Sequence, residues 1–545
     1  MHIRISWPLS GAWSNIFPLA PSQKQVFVLH CICKEETGKV NIPESFPVKP
    51  RTYQLSIAES ALKSNSLIVL PTGLGKTLIA ALVVFNYVGE TGKAIITAPT
   101  RPLVNQHLRE FSRYLSCKED EIVALTGSTK KEGRETLWKT RFVVCTPQTL
   151  QNDLNHGITN LRETRCLVID EAHRAVGNYA YVSISRTFME ESGGRLIGLT
   201  ASPGSDPSKF QSIKDALGID NVIIRDENDP EIRAHFSDVK VTVTRIARPE
   251  PLKIIQSYCD NMLQDLKKPL RDLDFFIGKK LNRSTLAQSI PAISEAARTV
   301  DGSLFRIIPR ITACIRLDYA LEYLETQGAE MFYEYLDGIL ESQDKSMIRT
   351  ADLLRSTSFL GRILDMRQKV LAEEENPKMK IIQRICIETL SANQDSRIIV
   401  FTHFRKTSEK LTAFLNSSIP GEIAVRFVGQ ASRSGSSGLT QKDQESILDA
   451  FREGKKKILV ATSVAEEGLD IPQTDQVIFY EPVPSDIRSI QRRGRTGRIR
   501  AGSVHILTYE GSRDISYLYS SQRKESRMKQ MMSSYSNKKG DLYSY

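Results

Sequence analysis

The sequence has no long hydrophobic run. Its longest apolar stretch, residues 78–85, is far shorter than the roughly 20 residues of a membrane-spanning helix. The first residues include Trp7, Phe17 and two prolines, without the continuous apolar segment that a secretory signal needs. We therefore expect neither a membrane span nor a cleaved leader.

Paired cysteines are also scarce. The chain has 8 cysteines, and only Cys31 and Cys33 lie close together, with no second pair to complete a zinc site. Cys145 and Cys166 fall inside apolar runs that resemble buried strands. These cysteines are predicted to be reduced core residues, which fits an intracellular protein: cytoplasmic and nucleoid-associated in an archaeon, nuclear in a eukaryote.

The chain carries an excess of positive charge. Its 545 residues have a formal net charge of +11 and a pI of about 9.1. Such a surplus suits a phosphate-rich partner, although a charge that only maintains solubility is an equal alternative on composition alone. The length suits about three domains.

Apolar periodicity divides the chain into an α/β segment, a helical segment and a second α/β segment. Short Ile/Val/Leu runs typical of buried parallel strands occur at 66–70, 94–98, 142–145, 166–169, 196–199, 398–401, 458–461 and 476–479. Between them, Leu317, Ala320, Leu321 and Leu324 form a helical stripe. The predicted division is an extension (1–46), a first lobe (47–245), a helical insert (246–375), a second lobe (376–520) and a basic tail (521–545).

The strongest motif is a glycine-rich segment between a predicted strand and a predicted helix, Pro71-Thr72-Gly73-Leu74-Gly75-Lys76-Thr77. Glycines allow backbone N–H groups and the helix N-terminus to face a phosphate. In such a loop Lys76 reaches the β- and γ-phosphates of ATP, and the Thr77 hydroxyl binds Mg²⁺. The alternative is an ordinary glycine-rich turn.

An acidic pair, Asp170 and Glu171, directly follows the run 166–169. Carboxylates at the carboxyl end of a parallel strand face the crevice where nucleotides bind. Asp170 is predicted to hold Mg²⁺ through water, and Glu171 to orient and deprotonate the attacking water. An acidic pair can also be a solvated turn, but its position after a P-loop favours the catalytic interpretation.

The third motif concentrates arginine: Gln491-Arg492-Arg493-Gly494-Arg495-Thr496-Gly497-Arg498. It could be a nucleic-acid patch or a solvated basic face. If the segment faces the P-loop across a cleft, Arg495 and Arg498 would neutralise charge on a transferring phosphoryl group. Gln491 would then contact the γ-phosphate or the attacking water.

In this order, the three motifs resemble those of superfamily 2 helicases, whose P-loops have the short form without glycine at the position of Leu70. The resemblance implies two RecA-like lobes that bind ATP and Mg²⁺ between them. It also implies further nucleotide contacts: Arg51, Tyr53 and Gln54 as an adenine-reading element, and Gly468 and Asp470 towards the ribose.

The same resemblance implies contacts to a nucleic-acid backbone. Thr100 and Arg101 resemble motif Ia, Thr146 resembles motif Ib, and Thr462 resembles the threonine of motif V. Residues 200–202, Thr-Ala-Ser, resemble motif III, which couples hydrolysis to lobe movement.

Three longer segments, at 170–181, 324–328 and 480–485, resemble archaeal Hef helicases and Fanconi anaemia group M translocases. In that family the insert resembles a polymerase thumb and grips branched DNA. The basic residues where we expect this grip are Lys267, Lys268, Arg271, Lys279, Lys280 and Arg283. Phe275 and Phe276 could stack on bases, but core packing is the stronger interpretation, and a solvated helix face is an equal alternative for the basic residues.

The resemblance implies an ATP-dependent helicase that moves 3′ to 5′ and acts on forks and four-way junctions. A sliding clamp or repair proteins are the expected protein partners. The sequence lacks the Glu-Arg-Lys-x-x-x-Asp nuclease core found in archaeal Hef, so we expect remodelling without cleavage and a monomer. The alternatives are a duplex-RNA-stimulated ATPase of the RIG-I/Dicer type and a branched-DNA clamp with a vestigial ATPase.

Overall fold

The structure is a computed structural model, and it describes residues 40–42, 46–89, 91–226, 229–233, 239–373, 376–429, 438–462, 471, 474–483 and 502–540. The predicted extension 1–46 lies almost entirely outside these ranges.

Seven parallel strands form the first sheet, in the order β3-β4-β2-β5-β6-β1-β7. Their bounds are β1 Ser66–Val69, β2 Lys93–Thr97, β3 Ile122–Leu125, β4 Phe142–Cys145, β5 Thr164–Ile169, β6 Arg195–Thr200 and β7 Asn221–Ile224. All five strands predicted in this lobe are confirmed, while β3 and β7 were not predicted. Cys145 and Cys166 are buried free thiols in this sheet, as expected.

Helices cover both faces of this sheet. They are α1 Thr52–Lys63, α2 Lys76–Val88, α3 Arg101–Tyr114, α4 Arg134–Trp138, α5 Pro147–Asn155, α6 Ala180–Glu191, α7 Pro207–Leu217 and α8 Pro230–Arg233. α2 is apolar nearly all round and is buried against the sheet. α3 is amphipathic, with Val104, His107 and Phe111 on its buried face.

The insert is all-helical. Its helices are α9 Glu250–Lys267, α10 Arg283–Thr299, α11 Ile307–Thr326, α12 Ala329–Leu340, α13 Lys345–Arg355, α14 Leu360–Asp365 and α15 Arg367–Glu373. α11 is its central helix, and the predicted stripe of Leu317, Ala320, Leu321 and Leu324 is completely or almost completely buried in the insert's own core.

In the described part of the chain, the second sheet has six parallel strands in the order β10-β11-β9-β12-β13-β8. Their bounds are β8 Lys240–Ile246, β9 Ile398–Phe401, β10 Ala424–Phe427, β11 Ile458–Ala461, β12 Gln476–Phe479 and β13 Ser503–Tyr509. Its described helices are α16 Pro377–Ala392, α17 Arg405–Ser418, α18 Gln441–Glu453 and α19 Arg513–Gly540. The predicted fold class, two parallel-sheet lobes with a helical insert, is confirmed.

One strand crosses the predicted division. β8 precedes the insert in the chain but pairs in parallel with β13 of the second sheet, from Lys240–Ser503 to Ile246–Tyr509. The second lobe therefore includes residues that the sequence division at 245 assigned to the first lobe. β8 was not predicted as a strand because it lies at the edge of the second sheet and leaves most of its side chains exposed or half-buried. It therefore lacks the continuous apolar run of a strand that is buried on both faces.

The C-terminal segment was expected to be a helix that frays into a basic tail at 521–545, and its helix begins earlier, at Arg513. Its described part is a single helix, α19, that runs from the second lobe past the insert and back to the first lobe. Met528, Met531 and Met532 are buried in an apolar cluster of the first lobe, and Tyr535 packs edge-on against Phe210. The helix thus joins all three parts of the chain.

Within the described residues, no helix is both long and apolar enough to cross a membrane.

Candidate active site

Three predicted functional segments meet at one edge of the first sheet. The P-loop follows β1, the Asp170–Glu171 pair follows β5, and Thr200 ends β6, which lies between those two strands. Val69 of β1 is aligned with Thr200, and Ile169 of β5 with Gly198. Because the strands are parallel, the three segments emerge side by side into one crevice.

The P-loop is packed against the predicted adenine-reading element. Gly75 has φ 78° and ψ 41°, and a Cβ at this position would lie 2.5 Å from Gln54 Nε2. Glycine is therefore required both for the left-handed backbone and for the close approach. Gln54 Nε2 and Tyr53 Oη each donate to the Leu74 carbonyl at 3.0 Å. Arg51 N donates to Gln54 Oε1 at 2.9 Å, which completes the link.

Lys76 begins α2, and its ammonium lies within the loop. Nζ donates to the Leu70 carbonyl at 3.0 Å and to the Pro71 carbonyl at 3.4 Å. Thr77 follows in the first turn and is half-buried. The positive charge of Lys76 is close enough to Asp170 to help lower the pKa of that carboxyl.

Asp170 is buried, and four polar contacts hold its backbone and side chain. Its N–H donates to the Thr97 carbonyl at 3.0 Å, and its carbonyl accepts from Tyr181 Oη at 2.7 Å. Its Oδ1 accepts from Glu171 N at 3.0 Å, and its Oδ2 lies 2.8 Å from His107 Nε2. Burial alone would raise the pKa of Asp170, but the hydrogen bond and charge of His107 hold it below its usual value. His107 was not predicted as a site residue, since a lone histidine in a helix belongs to no recognisable motif.

Glu171 has an unusual backbone. Its φ of 50° and ψ of 49° lie in the left-handed region, which costs a non-glycine residue about 1 kcal/mol. Its Oε2 is buried without a hydrogen-bond partner among the described residues, 3.3 Å from His173 Nδ1. His173 Nδ1 also lies 3.2 Å from Thr200 Oγ1, which in turn donates to the Ser202 carbonyl. The acidic segment and the motif III segment are therefore in direct contact.

The candidate nucleic-acid residues of the first lobe follow the neighbouring strands β2 and β4. Thr100 caps α3 by accepting from Leu103 N at 3.4 Å, and Arg101 begins that helix. Thr146 is buried, and its hydroxyl lies 2.8 Å from Thr149 Oγ1. Because β2 pairs with β4, these segments share one edge of the sheet.

A third loop at this edge was missed. Residues 126–128, Thr-Gly-Ser, follow β3, which pairs with β4. A Cβ on Gly127 would lie 3.3 Å from Arg101 Nη2, so the loop and the arginine are neighbours. The only signal for it was the short run Ile122–Leu125 ahead of a Thr-Gly pair.

Most predicted site residues of the second lobe lie outside the described residues: Gly468, Asp470, Gln491, Arg495 and Arg498. Thr462 is described. It follows β11, is buried, and donates its N–H to the Phe427 carbonyl at 3.1 Å. It therefore lies at the carboxyl edge of the second sheet, directly after β11.

In the insert, the predicted basic residues differ in their exposure to solvent. Lys268, Arg271, Lys279 and Lys280 are exposed, and Lys267 is half-buried. With the N-terminal residues of α10, Lys267 and Lys280 line an open cavity of about 510 Å³. Arg283 lines it too, but ion pairs at 2.7 Å with Asp318 and Glu322 hold its guanidinium.

The two phenylalanines considered for base stacking are core residues. Phe276 is 2% exposed in the insert core, and Phe275 packs against the same core. Apolar packing therefore explains both side chains.

Comparison with known proteins agrees with this geometry. Residues 51–210 match the DEAD/DEAH box helicase family, and residues 377–500 match the helicase conserved C-terminal domain. The crystal structure of the Pyrococcus furiosus Hef helicase domain is 39% identical, with a TM-score of 0.62, over 87% of this chain and 98% of that one. The chain belongs to the Hef family of DEAD/DEAH box helicases. The resemblance inferred from its motifs is thus confirmed, and its two matched domains are those of an ATP-hydrolysing helicase.

Longer relatives in the family share the same region. A putative ATP-dependent RNA helicase of Methanocaldococcus jannaschii is 34% identical over 93% of this chain. The Fanconi anemia group M protein homolog of Mus musculus is 31% identical over 89%, and the ATP-dependent DNA helicase mph1 of Neosartorya fischeri 33% over 95%. The chain spans 62%, 26% and 49% of these three relatives.

Proposed function

We propose that the protein is an ATP-driven DNA helicase that moves 3′ to 5′ and remodels forks and four-way junctions. The observation that carries the proposal is the helical insert between two helicase lobes, which exposes Lys268, Arg271, Lys279 and Lys280. Lysine and arginine contacts to phosphates supply most of the affinity for DNA irrespective of its sequence. A relative named as an ATP-dependent DNA helicase supports DNA as the substrate.

ATP binds at the edge of the first sheet. The P-loop and the helix N-terminus of α2 surround the phosphates, Lys76 approaches the β- and γ-phosphates, and the base lies towards Arg51 and Gln54. The contact of Gln54 and Tyr53 with the Leu74 carbonyl supports this, because it connects base recognition to the shape of the phosphate loop.

Thr77 and Asp170 are the residues that would hold Mg²⁺, Asp170 through water. They fit a cation because the pKa of Asp170 is lowered, so its carboxylate stays charged near neutral pH. Mg²⁺, when bound, neutralises charge on the phosphates. Glu171 orients and deprotonates the attacking water. Its Oε2 accepts no hydrogen bond from the described residues, which leaves it a lone pair for that proton.

The second lobe completes the site when the cleft closes. In this proposal the finger role belongs to Arg495 and Arg498, contact with the γ-phosphate or the water to Gln491, and contact with the ribose to Gly468 and Asp470. Closure on ATP and reopening after hydrolysis move one lobe along a strand relative to the other. The contact from His173 through Thr200 to Ser202 supports coupling between the hydrolytic carboxylates and the lobe interface.

The DNA strand along which the helicase moves is held by its phosphate backbone, through Thr100, Arg101, Thr146 and Thr462. The insert holds the branch through Lys267, Lys268, Arg271, Lys279 and Lys280. Because all of these contacts go to phosphates, binding depends on DNA structure and salt, with little dependence on base sequence. The sequence has no Glu-Arg-Lys-x-x-x-Asp core, so we propose that this chain remodels DNA and does not cleave it.

The deciding experiment is steady-state ATP hydrolysis without nucleic acid and with single-stranded DNA, a fork, a four-way junction or duplex RNA. Strongest stimulation by the fork or junction supports the proposal. A tailed-duplex unwinding assay with 3′ or 5′ tails then tests the polarity. Equal stimulation by all DNAs would remove the role given to the insert.

A second candidate is a duplex-RNA-stimulated ATPase. It is favoured by the name of the Methanocaldococcus jannaschii relative, a putative RNA helicase. Strongest stimulation by duplex RNA in the same series would establish it. A third candidate, a branched-DNA clamp with a vestigial ATPase, requires that no nucleic acid stimulate hydrolysis. It also requires that Glu171→Gln bind junctions and rescue function as the wild type does.

A further inference from the structure

A buried histidine from another helix holds the carboxylate of Asp170. His107 lies on α3, is 3% exposed, and places Nε2 2.8 Å from Asp170 Oδ2. The other carboxylate oxygen accepts from Glu171 N at 3.0 Å. The two contacts engage different oxygens of the carboxylate. Together they fix its rotation about the Cβ–Cγ bond. Within the described part of the chain, His107 is the side chain that donates to Oδ2.

The environment of His107 excludes other uses of its ring. Its Nδ1 is buried and has no hydrogen-bond partner among the described residues, so the contact with Asp170 is the ring's only polar one there. Phe111, one turn further along α3, meets the ring edge-on with centroids 6.1 Å apart. An apolar residue could replace a histidine that only filled space in the core. His107 has a further role, because its Nε2 donates a hydrogen bond to the carboxylate of Asp170.

The helix that carries His107 begins at the candidate nucleic-acid edge. Thr100 caps α3 and Arg101 is its first residue, while His107 lies about two turns further on. α3 is one continuous helix whose Leu103, Val104 and Phe111 are buried in the core. A displacement of its first turn would reach the histidine through the helix backbone.

We propose that His107 is a positioning residue of the ATPase reaction, which orients the Asp170 carboxylate and links its position to nucleic-acid contacts at the start of α3. The first part rests on the proposed hydrolytic site and the second on the proposed nucleic-acid edge. His107 touches neither ATP nor the attacking water. It acts by keeping one oxygen of Asp170 aligned towards the site of Mg²⁺.

The test compares His107→Leu, which removes the donor, with His107→Gln, whose amide nitrogen is as many bonds from Cβ as Nε2. Loss of a group that orients a metal-holding side chain typically costs 10–100-fold in activity or metal affinity. We therefore expect His107→Leu to lower kcat without nucleic acid by roughly 10-fold or more and to raise the Mg²⁺ concentration for half-maximal rate several-fold. His107→Gln should restore both to within about 3-fold.

Two measurements separate positioning from simple destabilisation. Binding of a fluorescent ADP in the absence of Mg²⁺ should be unchanged in His107→Leu, while stabilisation against thermal unfolding by ADP with Mg²⁺ should be reduced. Val104→Ala is the matched control, because it removes buried apolar packing in the same helix at a residue outside the His107–Asp170 contact. It should lower the unfolding temperature and leave the Mg²⁺ dependence unchanged.

If His107→Leu does not fold, His107→Asn serves in its place, since its amide is too short to reach Oδ2. Wild-type kcat and Mg²⁺ dependence in the leucine or asparagine variant would overturn the proposal. So would a glutamine variant that fails to restore them.

The proposed function fails separately from this inference. If no nucleic acid stimulates the wild type, the DNA proposal is lost, while the role of His107 in basal hydrolysis is still measured. If stimulation is normal in the wild type, the ratio of stimulated to basal rate should fall in His107→Leu. An unchanged ratio would overturn the link to α3 alone.

Discussion

Ser202 Oγ lies 3.0 Å from the sulfur of Met528, so the motif III segment of the first lobe touches the helix that leaves the second lobe. Both side chains are buried, and Met531 and Met532 extend the contact into the apolar cluster of the first lobe. A helix anchored at both ends must shift or bend when the lobes change their separation. The contact therefore places α19 where lobe movement and motif III meet.

Met528→Asp should detach the end of α19 from the first lobe. The change removes buried apolar area worth about 2 kcal/mol and would bury an uncompensated carboxylate, so the helix end leaves its site. We expect nucleic-acid-stimulated ATP hydrolysis to fall several-fold and protease cleavage within α19 to increase. Met528→Leu, which keeps the volume and apolar character, should behave as the wild type. Normal stimulation in a variant whose helix is shown to be cleaved would refute the coupling role.

This docking could not be predicted from the sequence. α19 carries many charged and polar residues, and its three buried methionines contact residues far away in the chain. β8 has the same difficulty, because its partner β13 is contributed by residues 503–509. By contrast, β9, β11 and β12 were predicted with their observed bounds, since a short run of buried Ile, Val and Phe is a local signal. Locally encoded elements were predictable, and pairings across the insert were not.

The candidate site divides in the same way. The P-loop and Asp170–Glu171 are short contiguous motifs whose chemistry can be predicted from their residue types, and the structure brings both to one edge of the first sheet. His107 and the loop at 126–128 acquire a role only from where α3 and β3 lie in space. Sequence spacing held no information on either.

Lys76→Ala should abolish ATP hydrolysis, reducing kcat by at least about 100-fold, because the ammonium that compensates phosphate charge is lost. DNA binding without nucleotide should remain within about 3-fold of the wild type, since phosphate contacts to DNA lie elsewhere. Filter binding and coupled ATPase assays measure the two quantities. Lys63→Ala, an exposed lysine at the end of α1, is the charge-matched control. Substantial turnover in Lys76→Ala would contradict the assigned site.

The open cavity of the insert that Lys267 and Lys280 line should contribute to DNA binding through counterion release. In Lys267→Ala/Lys280→Ala, the slope of log affinity against log salt for a fork should decrease by roughly 2 units, as expected for two lost phosphate contacts. Binding of a short single strand should change little, because the first lobe and Thr462 are expected to hold it. Lys369→Ala, exposed on α15 of the same insert, should leave the slope unchanged. Equal losses for fork and single strand would contradict a branch-specific role.

Asp318 should stabilise the junction between the insert and α19 in a pH-dependent manner. Its carboxylate accepts from Arg513 Nη2 at 2.8 Å and from Arg283 Nε at 2.7 Å. Burial alone would raise the pKa of Asp318, but the two arginines lower it below the ordinary value of 3.8. The folded protein therefore binds this proton less readily than the unfolded chain does. Its stabilisation is fully present above the unfolded pKa and is lost as the pH falls through the folded one.

Asp318→Asn should accordingly cost about 1.5–3 kcal/mol at pH 7, the usual contribution of a hydrogen bond to a charged group. The difference from the wild type should shrink as the pH falls below about 4, where the unfolded wild type begins to take up the proton. Urea unfolding of both proteins between pH 7 and 3 measures this difference. Asp352→Asn, which removes an exposed ion pair with Arg355, should cost less than about 0.5 kcal/mol throughout. A constant difference for Asp318→Asn across that range would show that the carboxylate's charge does not hold the junction.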